Sequence, residues 1–130
     1  MSNQKTASLT IKLATNIPSK KNSRINLRNG ISIPSKAYRE WHDEAVIMSK
    51  IQAAKQGWAM KQGDRAKITG IIYCATLRKT DIDNKLSSFL DMIVDANIIP
   101  DDNWQTIPEI TIKADYRKGQ PGAEFVITML

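Results

Sequence analysis

Between residues 80 and 100 the chain sets Ile82, Leu86, Phe89, Leu90, Ile93 and Val94 at helical spacing, one apolar stripe on an otherwise polar cylinder. A helix of this kind gains most of its stability from tertiary packing, so the chain must offer it a second layer. Thr80 stands where an N-cap belongs and Pro100 where the helix must stop. The second layer is written in period-two segments. Leu9, Ile11 and Leu13 alternate with Thr10 and Lys12, and Lys67 to Ala75 is rich in β-branched and aromatic residues. Ile110, Ile112 and Ala114 form a third such segment. Phe125, Ile127 and Met129 follow as a fourth, after the turn Gly119-Gln120-Pro121-Gly122. A further helix is expected from Ser35, its N-cap, to Gly57, with Tyr38, Trp41, Ala45 and Met48 recurring at helical spacing and Val46, Ile47 and Ile51 widening that side. The reading is a single α+β domain over residues 1–130, two-layered and in β-α-β-α-β-β order. A mixed, mostly antiparallel sheet should carry both helices on one face. A chain of 130 residues can bury its own core without staples.

The single cysteine, Cys74, excludes an intrachain disulfide and a multi-cysteine zinc site, and as part of a strand it is expected to pack as a small hydrophobe. Met1 to Lys5 lacks the apolar region of a secretory signal, and no run is long enough to span a membrane. A cytoplasmic protein without a membrane partner is expected. Nineteen Lys and Arg against thirteen Asp and Glu give a net charge of +6, which favours a polyanionic partner. The charge is segregated. Asp81, Asp83, Asp91, Asp95, Asp101 and Asp102 face only Lys85 within residues 81–102, a local charge of −5, so the rest of the chain carries +11. Acids beside bound phosphates repel them unless a cation intervenes.

Hard cations such as Mg²⁺ take carboxylate oxygens and keep water or substrate phosphates as their other ligands. Asp81 and Asp83 lie at a strand-to-helix junction, and Asp101 and Asp102 lie where the chain returns toward the sheet. The topology can bring both pairs to one edge. A second explanation stays open: acids in a first helical turn favour the macrodipole, Thr80-x-x-Asp83 has the form of a capping box, and Asp101-Asp102-Asn103 suits a solvated turn. Asp83, Ser87, Asp91 and Asp95, spaced by four, share one polar row, and Asp91 and Asp95 read as surface acids. An EF-hand is excluded, since its glycine is missing and Met92 stands in place of the bidentate Glu.

The run Asp81-Ile82-Asp83-Asn84, the segment Asp91-Met92-Ile93-Val94-Asp95-Ala96 and the pair Asp101-Asp102 together resemble the RusA family of Holliday-junction resolvases. Ile17-Pro18-Ser19-Lys20-Lys21-Asn22 is similar to that family's Pro-Ser-x-Asn loop, Ala37-Tyr38-Arg39 to its helix start, and Phe125 to Met129 to its closing strand. The resemblance implies a homodimeric, Mg²⁺-dependent endodeoxyribonuclease, with Mn²⁺ as a substitute, that resolves four-way DNA junctions by paired nicks in recombination and repair. Its essential, metal-holding acids would be Asp81, Asp83 and Asp102, with Asp101 beside them and Asn84 as orienting companion. No small-molecule cofactor is implied. One departure stands out: the family's functional lysine, four residues after the second Asp, is here Ser87. Lys85 is rotated from Ser87 by roughly 160° on a helix, which leaves Lys113 or a loop lysine to supply the charge.

Lys20, Lys21, Arg24 and Arg28, in a long loop without acids, are the first candidates for phosphate contacts, with Arg78 and Lys79 beside the acidic run. His42 reads as structural or surface, Trp41 and Trp58 as core or interface, and Trp104 as a residue that can pack against DNA or a partner subunit. A non-catalytic junction-binding protein, favoured by Ser87, and a less selective branched-DNA nuclease are the competing readings.

Overall fold

The alternation at the start of the chain is realised in β1 (Ser8–Leu13), whose Leu9, Ile11 and Leu13 point into the core while Lys12 faces water. The computed structural model describes residues 7–20 and 24–130. The other elements are β2 (Arg24–Asn26), β3 (Ser32–Pro34), α1 (Lys36–Lys55), β4 (Ala66–Cys74), α2 (Ile82–Asp95), β5 (Glu109–Tyr116) and β6 (Gly122–Met129). The main sheet is open, in the order β1-β6-β4-β5, with β1-β6 and β6-β4 antiparallel and β4-β5 parallel. The crossover from β4 to β5 runs through α2, as parallel neighbours require. This is the expected α+β architecture with a mixed, mostly antiparallel sheet.

One face of that sheet is apolar. Leu9 and Ile11 on β1, Phe125 and Ile127 on β6, and Ile68 and Ile72 on β4 are almost fully buried there, in one cluster with Ala45 and Ala53 of α1 and Phe89, Met92 and Ile93 of α2. Phe89 stacks on Phe125 with ring centroids 3.5 Å apart, and Ser49 of α1 places its hydroxyl 3.3 Å from the Met92 sulfur.

Both helices end in the same way, although only one end is marked by glycine. Gly57, at φ 68°, follows α1, and the Trp58 and Gly57 amides donate back to the Ala53 and Ala54 carbonyls. After α2, Asn97 takes the left-handed conformation at φ 58°, with Ile98 and Asn97 donating to Ile93 and Val94. The helix therefore stops at Asp95, before Pro100 is reached, and Ile98 and Ile99 drop into the core. Ser35 caps α1 as expected, its Oγ accepting from the Tyr38 amide at 3.1 Å.

Three local expectations are revised. The segment read as a plain loop holds the antiparallel pair β2-β3, turned through Leu27 to Ile31 with Gly30 at φ 83°. On α1 the buried line is Tyr38, Ala45, Ser49 and Ala53, whereas Ile47, Met48 and Ile51 are exposed. On α2 the stripe is rotated: Lys85 and Ser88 are buried with Phe89, Met92 and Ile93, and Ile82 is exposed.

Candidate metal and nucleic-acid site

The parallel β4-α2-β5 unit sends the chain from the end of β4 through residues 75–81 into α2, which presents the first acids at a helix start. Asp81, not Thr80, is the N-cap residue, and its side chain makes no capping hydrogen bond. The alternative Thr80-Asp83 capping box is therefore not formed. Asn84 Nδ2 approaches Asp81 Oδ2 at 3.4 Å. Asp83 lies exposed in the first turn.

The remaining acids divide by what they touch. Asp91 is paired with the Lys20 ammonium at 3.4 Å, and Asp95 with His42 Nε2 at 2.7 Å. His42, packed beside Tyr38, thus has a carboxylate partner that sequence distance concealed. Asp101 is spent on its own turn, accepting from the Asp102 amide at 2.7 Å and from Asn103 Nδ2 at 3.0 Å. The Asp102 carboxyl is raised from its ordinary pKa, first by desolvation, then by its side-chain contact with Asp101 and by the charges of Asp101 and Asp91, with its own backbone amide opposing. Among the described residues Asp81, Asp83, Asp101 and Asp102 all lack an ion-pair partner, a state they share with acids elsewhere in the chain such as Asp64 and Glu109.

Asp81, Asp83 and Asp102 do not form a closed cage: among the described residues no three His, Cys, Asp or Glu side chains are grouped to hold an ion. The acids that Asp102 feels are Asp101 and Asp91 rather than the pair at the helix start. Magnesium is commonly bound through one or two carboxylates, with water and substrate phosphates completing its octahedron. The exposed Asp81 and Asp83 carboxylates fit that open mode.

The cationic candidates are dispersed. Arg78 and Lys79 line the same cavity as Asp81, about 440 Å³ in volume. Lys20 is drawn to α2 by Asp91 and by its amide, which donates to the buried Ser88 hydroxyl at 3.1 Å. Arg24 binds across the hairpin to the Ser32 hydroxyl and carbonyl, and Arg28 sits exposed in the hairpin turn. Lys21 lies outside the described residues. Lys113 is not a neighbour of the acids: it aligns with Ile71 and shares the open sheet face with Glu124 and Val126, opposite the face that carries α2. The sheet itself separates Lys113 from Asp81, so it does not replace the lysine missing at Ser87.

Lys85, which spacing alone shows only as a charge, is held inside the protein. It is 6 % exposed, and its Nζ donates to Asn16 Oδ1 and to the Ile17 carbonyl, both at 2.8 Å. Burial lowers its pKa from the ordinary lysine value, with Cys74 a smaller opposing influence. Its place at the head of the buried series Lys85, Phe89, Met92, Ala96 is the one hint the sequence held. Cys74 itself is half-buried, Trp58 packs against the core with Nε1 donating to the Ile98 carbonyl, and Trp104 is exposed.

No helix among the described residues is long and apolar enough to cross a membrane. No family model and no curated protein matches the chain. Among solved structures it is similar to a 2C-methyl-D-erythritol 2,4-cyclodiphosphate synthase from Plasmodium vivax, at 10% identity over 94% of this chain and 93% of that one, with a TM-score of 0.35.

Proposed function

We propose that the protein is a RusA-like, Mg²⁺-dependent endodeoxyribonuclease acting on four-way DNA junctions as a homodimer. The observation that carries this reading is the placement of Asp81 and Asp83, exposed at the start of α2, with Arg78 and Lys79 lining the same cavity as Asp81. Asp81 and Asp83 would hold the magnesium ion, with Asp102 completing the acidic centre. The bound ion supplies Lewis-acid activation of a water and charge neutralisation at the scissile phosphate. The chain's own residues do the rest. Asn84, 3.4 Å from the Asp81 carboxylate, would steady it, and Arg78 and Lys79, lining the same cavity, would hold the strand's phosphates beside it. Lys20, Arg24 and Arg28, which lie apart from that cavity, would add separate phosphate contacts that position DNA without reading its sequence. Two copies supply the two symmetric nicks that a four-way junction requires.

Asp81→Asn should abolish Mg²⁺-dependent nicking of a labelled four-way junction, by at least a hundredfold in rate, while leaving junction binding in EDTA within about threefold of wild type. Wild-type nicking by that variant would sink the assignment. The second reading, a junction binder without catalysis, draws on Ser87 in place of a lysine. Saturable binding with no metal-dependent product from the wild-type protein would favour it.

A further inference from the structure

A buried ammonium is costly unless paired, and natural proteins almost always give it a carboxylate. Lys85 has none: among the described residues no ion pair includes it, and its two acceptors, the Asn16 side-chain carbonyl and the Ile17 backbone carbonyl, are neutral. Nor is it sealed away. Lys85 helps to line the 440 Å³ cavity, together with Asn16, Arg78, Lys79, Thr80 and Asp81. A second cavity of about 250 Å³ shares Asn16, Arg78, Thr80 and Lys85. The amides of the first turn of α2 receive no side-chain cap from Asp81, so they add positive potential to the same place. Three cations and an uncapped helix start thus surround one space that holds a single carboxylate.

We propose that this pocket, lined by Lys85, Asn16, Arg78 and Lys79, is a receptor for a phosphate group of a nucleic-acid strand. The guanidinium of Arg78 offers a planar fork to an oxyanion and Lys85 a desolvated point charge, a combination that suits a multiply charged oxyanion better than a lone carboxylate. The anion would be the counter-ion that Lys85 lacks. The identity of the anion as a strand phosphate rests on the nuclease reading, whereas the pocket's affinity for phosphate is independent of cleavage. A terminal phosphate and a backbone phosphodiester share this chemistry.

The test is calorimetric titration of the metal-free protein in EDTA with inorganic phosphate, then with a thymidine dinucleotide with and without a 5′-phosphate. Saturable phosphate binding in the millimolar range or tighter is expected, and its absence overturns the proposal. Preference for the 5′-phosphorylated dinucleotide identifies a terminal phosphate, and equal binding of both identifies the phosphodiester. Binding of neither overturns it. Lys85→Met should weaken phosphate binding at least tenfold. Asn16→Asp is the decisive variant, because it gives Lys85 a permanent carboxylate without changing shape. It should raise Tm and weaken phosphate binding at least tenfold. If Lys85 is only a strap for residues 16 and 17, Asn16→Asp raises Tm and leaves phosphate affinity intact, which overturns the proposal even should Lys85→Met fail to fold. Phosphate binding in a protein that never nicks junctions leaves the pocket standing and removes the nuclease reading. Nicking without phosphate binding does the reverse.

Discussion

Gly70 lies at the centre of β4, opposite Phe125, and a methyl group there would clash with the Cδ1–Cε1 edge of the Phe125 ring. That ring cannot withdraw, because Phe89 of α2 stacks against it and it is wholly buried. Gly70→Ala should therefore cost about 1–3 kcal/mol, the usual range for overpacking, read as a lower urea midpoint at constant slope. Asp102 is the opposite case, a residue whose charged state opposes folding. Its pKa is raised in the folded protein, so its contribution is favourable when protonated and is lost as pH rises through the folded value. Asp102→Asn should raise Tm at pH 7, and the gain should fade as pH falls through the carboxylate range and the wild-type side chain is protonated. The proposed function has the same substitution abolish nicking, so stability and activity should move in opposite directions. At this scale the exposure of Asp81 and Asp83 at a helix start was legible from their place after a β-rich segment. Lys85 was not, because a lysine in an apolar stripe shows its burial only once the neighbouring loop is in place.

Among the elements, the pairing of α1 with β1 is the clearest case of structure that no periodicity announces. β1 is an edge strand, and its outward-facing amides and carbonyls need partners. Gln52 accepts from the Lys12 amide at 2.8 Å and donates to its carbonyl at 2.9 Å, and Gln56 does the same for Thr10 at 2.9 and 2.8 Å. The geometry permits this because four residues of helix rise about 6 Å, close to the advance of two residues along a strand. The two side-chain amides thus stand in for a neighbouring strand. Replacing both by Ala should destabilise the protein by about 1–2 kcal/mol in total, a small net value per exposed hydrogen bond. It should also raise the aggregation rate on gentle heating, measured by light scattering, because the edge is then free. The sequence marked the start of α1 through Ser35 and its end through Gly57. It did not mark the end of α2, because Asn97 adopts a left-handed conformation that the buried Ile98 and Ile99 impose from outside the helix.

For the whole molecule, the exposed side of α1 bears on the proposed dimer. Ile47, Met48 and Ile51 form an uncovered apolar strip, with Glu44 at one end and Lys55 at the other. Two such helices laid antiparallel would set Met48 of one copy on Ile51 of the other, and Glu44 opposite Lys55, so the surface is complementary to itself. Met48→Glu should convert a dimer to monomer by light scattering coupled to gel filtration, with the unfolding midpoint of the monomer little changed because the side chain is exposed. A wild-type protein already monomeric at tens of micromolar would remove this surface from the account.

The α+β class, the mixed sheet and the four main strands could be read along the chain, because each depends on periodicities that neighbouring residues impose on one another. The segregation of charge was equally local and equally legible. Contacts between segments far apart in sequence were not: the pairing of His42 with Asp95, the cover that Gln52 and Gln56 give to β1, the separation of Lys113 from the acids by the sheet, and the burial of Lys85 beneath Asn16. Periodicity decides which side of an element is apolar, but which partner meets each polar atom depends on how the elements are stacked.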